Sequence, residues 1–598
     1  MKKWFACTLA LVLLAAFTLP VMAEDAPETR TIRIIGTSDL HGKFMPWDYA
    51  LNAASTSGSM AQLATAIAEY RTEATLLVDA GDIIQDNSAD IFLGGDDVHP
   101  MIQALNALDY DVVVTGNHEY NYGMGVLKKT IGDLNAQVLT GNVYDENGQA
   151  IADAAAIFEF DGIRVAVIGM VTPNITRWDA INLADCLVTD PLEETRACID
   201  ALEGQYDVLV GVYHMGVENE YGVPNSGVED ILNACPEFDV MVSAHAHAQI
   251  PGQEINGALV VQNKNQAQTM AVIDVTLEKD GEGWKIVDKA SESIAISGFE
   301  ADPAMVELLT PYHEYACKDA EQVVGTLEGG ALAHENEIAE IPTAQIEDTA
   351  LIDLINKVQM YYTGAPVSAS ALFTMNANML PGDIHKCDMS LVYKYTNTLY
   401  KLHMTGAQLK KYMEWSVSYY NTWKLGDLTI SFSPDIRAYN YDMFEGVLYE
   451  INVANEPGSR IENLTWPDGT PVADDDEFDI AVNNYRATSQ LLAPGTIYEA
   501  DDMPTLLEID VHGEIGGVRE LIGDYIVNVM GGVITPECSN NWHITGNDWD
   551  EEMHQLAVEL LSEGVLTIPT SEDGRTPNVM PITEEDVLNA TEAEADAA

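Results

Sequence analysis

The sequence predicts an α/β fold in the first half of the chain, and three observations carry that expectation. Short runs rich in β-branched residues, such as Val112-Val113-Val114, alternate with segments whose apolar residues recur at helical spacing, up to about residue 290. Five of these runs break off at residues able to bind a cation. The chain has 598 residues, enough for two or more domains with sizeable cores.

The N-terminus reads as an address. Met1-Lys2-Lys3 is followed by an apolar run from Trp4 to about Leu19 and then by Pro20-Val21-Met22-Ala23. That order is a basic region, an apolar region and a small-residue cleavage site, so residues 1–23 are expected to be a signal peptide. The apolar run is short for a membrane span, and no other long one follows it. The mature chain is therefore expected to begin near Glu24, to be secreted or held in the periplasm or cell envelope, to keep no stable membrane span, and to be a monomer.

Losing Lys2 and Lys3 takes the net charge from −67 to −69. Such a surface repels nucleic acid polymers, which need cationic patches. It does not exclude a small phosphate substrate, because bound cations reverse the field locally. Cys7 leaves with the signal; Cys186, Cys198, Cys235, Cys317, Cys387 and Cys538 remain. An even number in an exported chain permits disulfides, and Cys186 and Cys198 are near enough in sequence to pair, with buried thiols as the equal alternative.

Taken in order, residues 31–37 are expected to form a strand that ends at Ser38-Asp39-Leu40-His41-Gly42. On an extended segment Asp39 and His41 point the same way, so both reach one ion. Met60, Leu63, Ala64 and Ile67 mark a helix between Ser59 and Arg71. A strand over Ala74 to Val78 ends in Asp79-Ala80-Gly81-Asp82, and Pro100 opens a helix with Met101, Leu105 and Leu108 on one side. The Val112–Val114 strand stops at Gly116 and presents Asn117, His118 and Glu119. Further strands over Ile163 to Met170, Asp207 to Tyr213, Asp239 to Ala244 and Ala258 to Gln262 follow, with His214 after the second and His245-Ala246-His247 after the third.

Asp39, His41, Asp82, Asn117, His214, His245 and His247 thus collect oxygen and imidazole donors, and no thiolate, at the ends of strands, where open α/β folds bind ligands. The count suits two divalent ions. Asp82 is the natural bridge, with Asp39, His41 and one of the two late histidines on one ion, and Asn117, His214 and the other histidine on the second. Zinc, manganese and iron all accept such mixed donors.

Asp39-Leu-His41, Gly81-Asp82, Gly116-Asn-His-Glu119, His214 and His245-X-His247 resemble the motifs of the calcineurin-like metallophosphoesterases, and within them the two-domain 5′-nucleotidase superfamily. The resemblance implies a metallophosphoesterase β-sandwich flanked by helices over residues 30–290 and an α/β nucleotide-binding domain over 341–545. Between them residues 291–340 are expected to be a linking helical region, and the acidic extension over 546–598 lies beyond the resemblance, its end from Thr583 to Ala598 expected to be a helix or a loose tail. It implies that Asp39, His41, Asp82 and His247 bind one ion and that Asp82, Asn117, His214 and His245 bind the other. It also implies that His118 stabilises the phosphoryl transition state.

In the second domain it implies a pair of aromatic rings that sandwich the base. Tyr485, in Asn483-Asn484-Tyr485-Arg486-Ala487, is one. Tyr441 is the other when aligned on Gly446-Val447, with Tyr439 as its close rival, and Asn397 is implied to touch the nucleoside. Where the 5′-nucleotidase branch carries an aspartate behind the histidine, this chain has Asn121. Gly-Asn-His-Glu-aromatic-Asn-Tyr-Gly, Pro46-Trp47-Asp48-Tyr49 and Tyr395-X-Asn-Thr-Leu399 are similar instead to the 2′,3′-cyclic-nucleotide 2′-phosphodiesterase/3′-nucleotidase branch. The implied substrates are nucleotides, cyclic and 3′ before 5′, with a broad 5′-nucleotidase or nucleotide-sugar hydrolase as the alternative and an inactive nucleotide-binding surface protein, against which the complete donor set argues, as the last.

Overall fold

The computed structural model describes residues 28–597 apart from 282, 376, 396, 514, 572, 573 and 575. The expected signal peptide lies outside the described residues. No helix among those described is long and apolar enough to cross a membrane.

The first domain is two six-stranded sheets face to face. One runs in the order 283–295, 269–280, 29–37, 75–79, 112–114, 137–139, and the other 250–255, 258–262, 240–243, 208–214, 163–171, 155–160. Alternation along each strand builds the layers. Ile32 and Ile34 face the second sheet and pack with Val167, Val210 and Val242, while Ile35 turns outward under Met60 and Leu105 of the covering helices. On the other side Ala166, Ile168 and Leu209 meet Val228, Ile231 and Leu232 of helix Val228–Ala234. The inner strands of both sheets pair in parallel, 29–37 with 75–79, 75–79 with 112–114, and 163–171 with 208–214 with 240–243. Their C-terminal ends therefore share one edge, where the loops carry the chemistry.

Helix Pro303–Ala320 lies where a linking helix was expected and packs its Met305, Leu309 and Ala316 into the first domain's core. The second domain holds a five-stranded sheet in the order 442–445, 367–371, 477–483, 399–405, 505–508. Helices Ala350–Thr363 and Gly406–Val417 pack into its core, the latter opened by a Thr405/Gln408 capping box. The acidic extension folds onto this domain. Helices Glu551–Ser562 and Glu584–Ala597 enclose Leu428 with Ala557, Leu560, Ile582 and Val587, following the domain's own strand Trp542–Thr545, which pairs with Leu448–Asn452. The six described cysteines are free thiols, so Cys186 and Cys198 do not pair. Arg519 reaches across from the second domain to Asp90 of the first at 3.2 Å.

Candidate active site

The loops after the strands bring the predicted donors together, by a backbone route the sequence did not suggest. Asp39 and His41 are not on an extended segment. Their φ values are 51° and 45°, and Asp82 at 59°, His245 at 71° and His247 at 54° are left-handed as well. Non-glycine residues rarely adopt this region, and its concentration at one place is what a functional site held by its surroundings shows. The surroundings are visible. Gly81 and Gly116 meet backbone to backbone, and a Cβ on either would collide with the other strand's loop. Glu119 does not face the cluster; its buried carboxylate accepts from the amides of Asp82, Ile83 and Gly116 at 2.9, 2.7 and 2.7 Å and ties the two loops.

The donor atoms fall into two groups that share Asp82. Asp39, His41, Asp82 and His247 offer atoms within 4.8 Å of one another, and so do Asp82, His214 and His245. Asn117 Oδ1 joins the second group, 2.9 Å from His214 Nε2 and 2.8 Å from His245 Nδ1. His214 Nδ1 donates to Ala80 O at 2.7 Å, which leaves Nε2 to face Asp82 and Asn117. In the first group His41 Nε2 and His247 Nε2 stand 3.0 Å apart, and Asp39 Oδ2 is buried with no hydrogen-bond partner. Converging imidazole nitrogens with an unpartnered buried carboxylate oxygen suit a divalent cation. Burial alone would raise the pKa of Asp82, yet His214 and His118 hold it well below the usual carboxylate range.

His118 sits at the rim. Its amide donates to Asp82 Oδ1 at 2.8 Å, its Nδ1 meets Asn121 Oδ1 at 2.7 Å, and its Nε2 lies 3.9 Å from Asp82 Oδ2. Burial lowers its proton affinity, but Asp82 and Asn121 outweigh that and raise the pKa above the ordinary histidine value.

The aromatic residues of the second domain divide. Tyr441 is 1% exposed, stacked on Tyr419 at 5.6 Å and edge-on to Tyr420 and Trp542, so neither face is open to a base. Its hydrophobic surroundings claim it for the core, and the alignment on Gly446-Val447 is corrected: Tyr439 is the ring that meets Tyr485, at 6.3 Å and 78°. Buried Arg486 holds the pair, bonding Asp442 and donating to Tyr439 O at 2.7 Å from the helix that carries Tyr485. Asn397 donates to Tyr393 Oη at 3.5 Å.

Residues the sequence did not single out complete the site. Tyr485 lies beside Tyr221 of the first domain, near enough for the two phenols to shift each other's proton affinity. Trp178 lies 6.1 Å from the Tyr221 ring and 5.2 Å from that of His245, and Glu220 Oε2 accepts from His245 Nε2 at 2.9 Å. The base-sized aromatic pair thus stands beside the donor cluster. None of Trp178, Tyr221 or Glu220 lies in a strand-end motif, so only the fold could reveal them.

Residues 32–249 match the family model described as calcineurin-like phosphoesterase, and residues 323–491 match that of the 5′-nucleotidase C-terminal domain. The chain belongs to the 5′-nucleotidase superfamily. It is a metal-dependent phosphoester hydrolase. It is 28% identical to the trifunctional nucleotide phosphoesterase protein YfkN of Bacillus subtilis over 88% of its length, and spans 40% of that larger protein. It is 26% identical to the 2′,3′-cyclic-nucleotide 2′-phosphodiesterase/3′-nucleotidase of Yersinia enterocolitica, over 90% of this chain and 91% of that one. A Staphylococcus aureus structure, named as a candidate 5′-nucleotidase and solved with alpha-ketoglutarate, shares the fold, with a TM-score of 0.72 and 22% identity over 86% of this chain and all of that one. The superfamily's two-domain architecture accounts for the placing of the donor cluster in one domain and the facing tyrosines in the other.

Proposed function

We propose that the protein is an exported phosphoesterase that hydrolyses 2′,3′-cyclic nucleotides and 3′-nucleotides to nucleoside and phosphate with two divalent cations. The observation that carries this reading is the sharing of Asp82 between two donor groups beside the Tyr439/Tyr485 pair. Asp39, His41, Asp82 and His247 would hold one ion, and Asp82, Asn117, His214 and His245 the other. Two such ions supply Lewis-acid stabilisation of the phosphoryl oxygens and an activated water at neutral pH.

The chain's own side chains supply the rest. Tyr439 and Tyr485 grip the base once one ring turns from its edge-to-face position, and Asn397, whose neighbour Thr398 pairs with Asn484 next to Tyr485, would touch the nucleoside. His118, 32% exposed at the rim, presents Nε2 to the phosphoryl group, stabilises its charge and delivers a proton to the departing ribose oxygen. Trp178 and Tyr221 close the side nearest His245. Asn121 and the near-complete overlap with the Yersinia relative favour cyclic and 3′ substrates. Assay of the purified protein against 2′,3′-cyclic AMP, 3′-AMP, 5′-AMP and a nucleotide sugar tests this. The first two should be preferred, and a clear preference for 5′-AMP would make the protein a broad 5′-nucleotidase.

A further inference from the structure

Asn121 stands between His118 and a second, buried carboxylate. Its Oδ1 accepts from His118 Nδ1 at 2.7 Å and from Gln85 Nε2 at 2.9 Å. Its Nδ2 donates to both oxygens of Asp179, at 3.1 and 2.9 Å. A side-chain amide has nearly the same shape either way round, so its neighbours decide which atom faces where. An ionised carboxylate offers no proton, so only the amide nitrogen can face Asp179. Burial pushes the Asp179 pKa up to about 6, which leaves it ionised at neutral pH.

Asp179 is itself held. It is 6% exposed, and its amide donates to Ile175 O at 2.9 Å to close helix Ile175–Trp178. Asn182 Nδ2 donates to the carbonyls of Tyr120 and Asn121, each at 3.0 Å, and lies 3.4 Å from Asp179 Oδ1. Those two carbonyls fix the Asn182 amide, which meets the Asp179 carboxylate only through the longer 3.4 Å contact.

We propose that Asp179 is a positioning residue for His118: it fixes the Asn121 amide so that the amide oxygen, not the nitrogen, meets His118 Nδ1–H and the ring is held with Nε2, the proton-delivering atom, towards the substrate phosphate. This rests on the reading of His118 as the group that acts at the phosphate. Asp179→Asn keeps the volume but gives the position a donor. The carboxylate then no longer dictates how Asn121 lies, and wherever Asn121 turns its nitrogen towards His118 the ring gives up its Nδ1 proton and can no longer carry protons on both nitrogens. The turnover number for 3′-AMP should fall at least about 10-fold, part of the roughly 10²–10⁴ that a positioned acid contributes. KM and bound metal should stay as in the wild type. Adding Asn121→Asp to Asp179→Asn restores an acceptor for Nδ1–H, because the introduced amide then donates to the introduced carboxylate, and should recover most of the loss.

The independent readout is the imidazole nitrogen spectrum of zinc-loaded, ¹⁵N-histidine-labelled protein, with the His118 ring identified by its disappearance in His118→Gln. A protonated Nδ1 in the wild type, and an Nδ1 unprotonated in a substantial fraction of Asp179→Asn, is the expected result. Unchanged protonation of Nδ1 with wild-type turnover overturns the proposal. So does a loss of turnover that tracks lost metal or a lower melting temperature and is not recovered in the double variant. If His118→Gln itself turns over normally, the reading of His118 fails alone, and the protonation of Nδ1 still decides the part of Asp179.

Discussion

Glu220 Oε2 and His245 Nε2 share a 2.9 Å hydrogen bond, on the opposite side of the ring from the 2.8 Å approach of His245 Nδ1 to Asn117 Oδ1. The bond spends the Nε2 proton on a carboxylate and leaves the Nδ1 lone pair for the cluster. Carboxylates placed behind metal-binding histidines fix the tautomer and raise ligand basicity, and their loss costs about 10–100-fold in metal affinity. Glu220→Gln should therefore weaken retention of the ion held by His214 and His245, read by competition with a chelator. Wild-type retention in that variant would reduce Glu220 to a surface contact.

Asp82 belongs to both donor groups, is 1% exposed, and its backbone amide is already satisfied by Glu119. Asp82→Asn removes one of two bridging oxygens without opening space. Turnover should be abolished and both ions loosened, so elemental analysis should find well below two metals per chain. Two full metals and a normal rate would dismiss Asp82 as the bridge.

Residue chemistry made the donor cluster legible, because Asp39, His41, Asp82, Asn117, His214, His245 and His247 each follow an apolar run that could only be a buried strand. The backbone at those residues was not legible, since left-handed φ values at Asp39 and His41 come from packing against Gly81 and the residues after Asp82 rather than from local preference. Tyr439 and Tyr441 are two apart and chemically identical, and only the core formed by Tyr419, Tyr420 and Trp542 tells them apart. Asp179, Glu220 and Tyr221 act through contacts far from them in sequence, and no spacing rule marks such residues.

The two tyrosines should part company experimentally. Tyr485→Ala and Tyr439→Ala each remove a stacking face worth about 1–3 kcal/mol, so KM for nucleotides should rise by roughly 5- to 150-fold. Hydrolysis of bis(p-nitrophenyl) phosphate, which has no base, should change little. Tyr441→Ala should instead cost on the order of 3 kcal/mol of stability through the cavity it leaves, with KM unaltered in the folded fraction. Equal damage to both substrates in Tyr485→Ala would mean that its contact with Tyr221 serves only packing.

A carboxylate cluster remote from catalysis should make stability depend on pH. Glu445 Oε2 accepts from Ser539 Oγ at 2.7 Å, and the same hydroxyl bonds Asp353 Oδ2 at 2.9 Å. Burial, with Asp353 and Asp348 close by, raises the Glu445 pKa to about 7 against the pull of Ser539 and Lys357, and burial and Asp353 raise that of Asp348 to about 6. The folded state thus binds protons that the unfolded chain, with carboxyl pKa values near 4, has already lost. Stability accordingly falls as pH rises through the interval from about 4.5 to 7, and the cost is fully present above it. Glu445→Gln keeps an oxygen for Ser539 and deletes the charge. Its melting temperature should exceed the wild type's at pH 8, and the two should converge at pH 4.5. An equal gain at both pH values, or a loss at pH 8, would show that the side chain's packing, and not its charge, governs stability at this position.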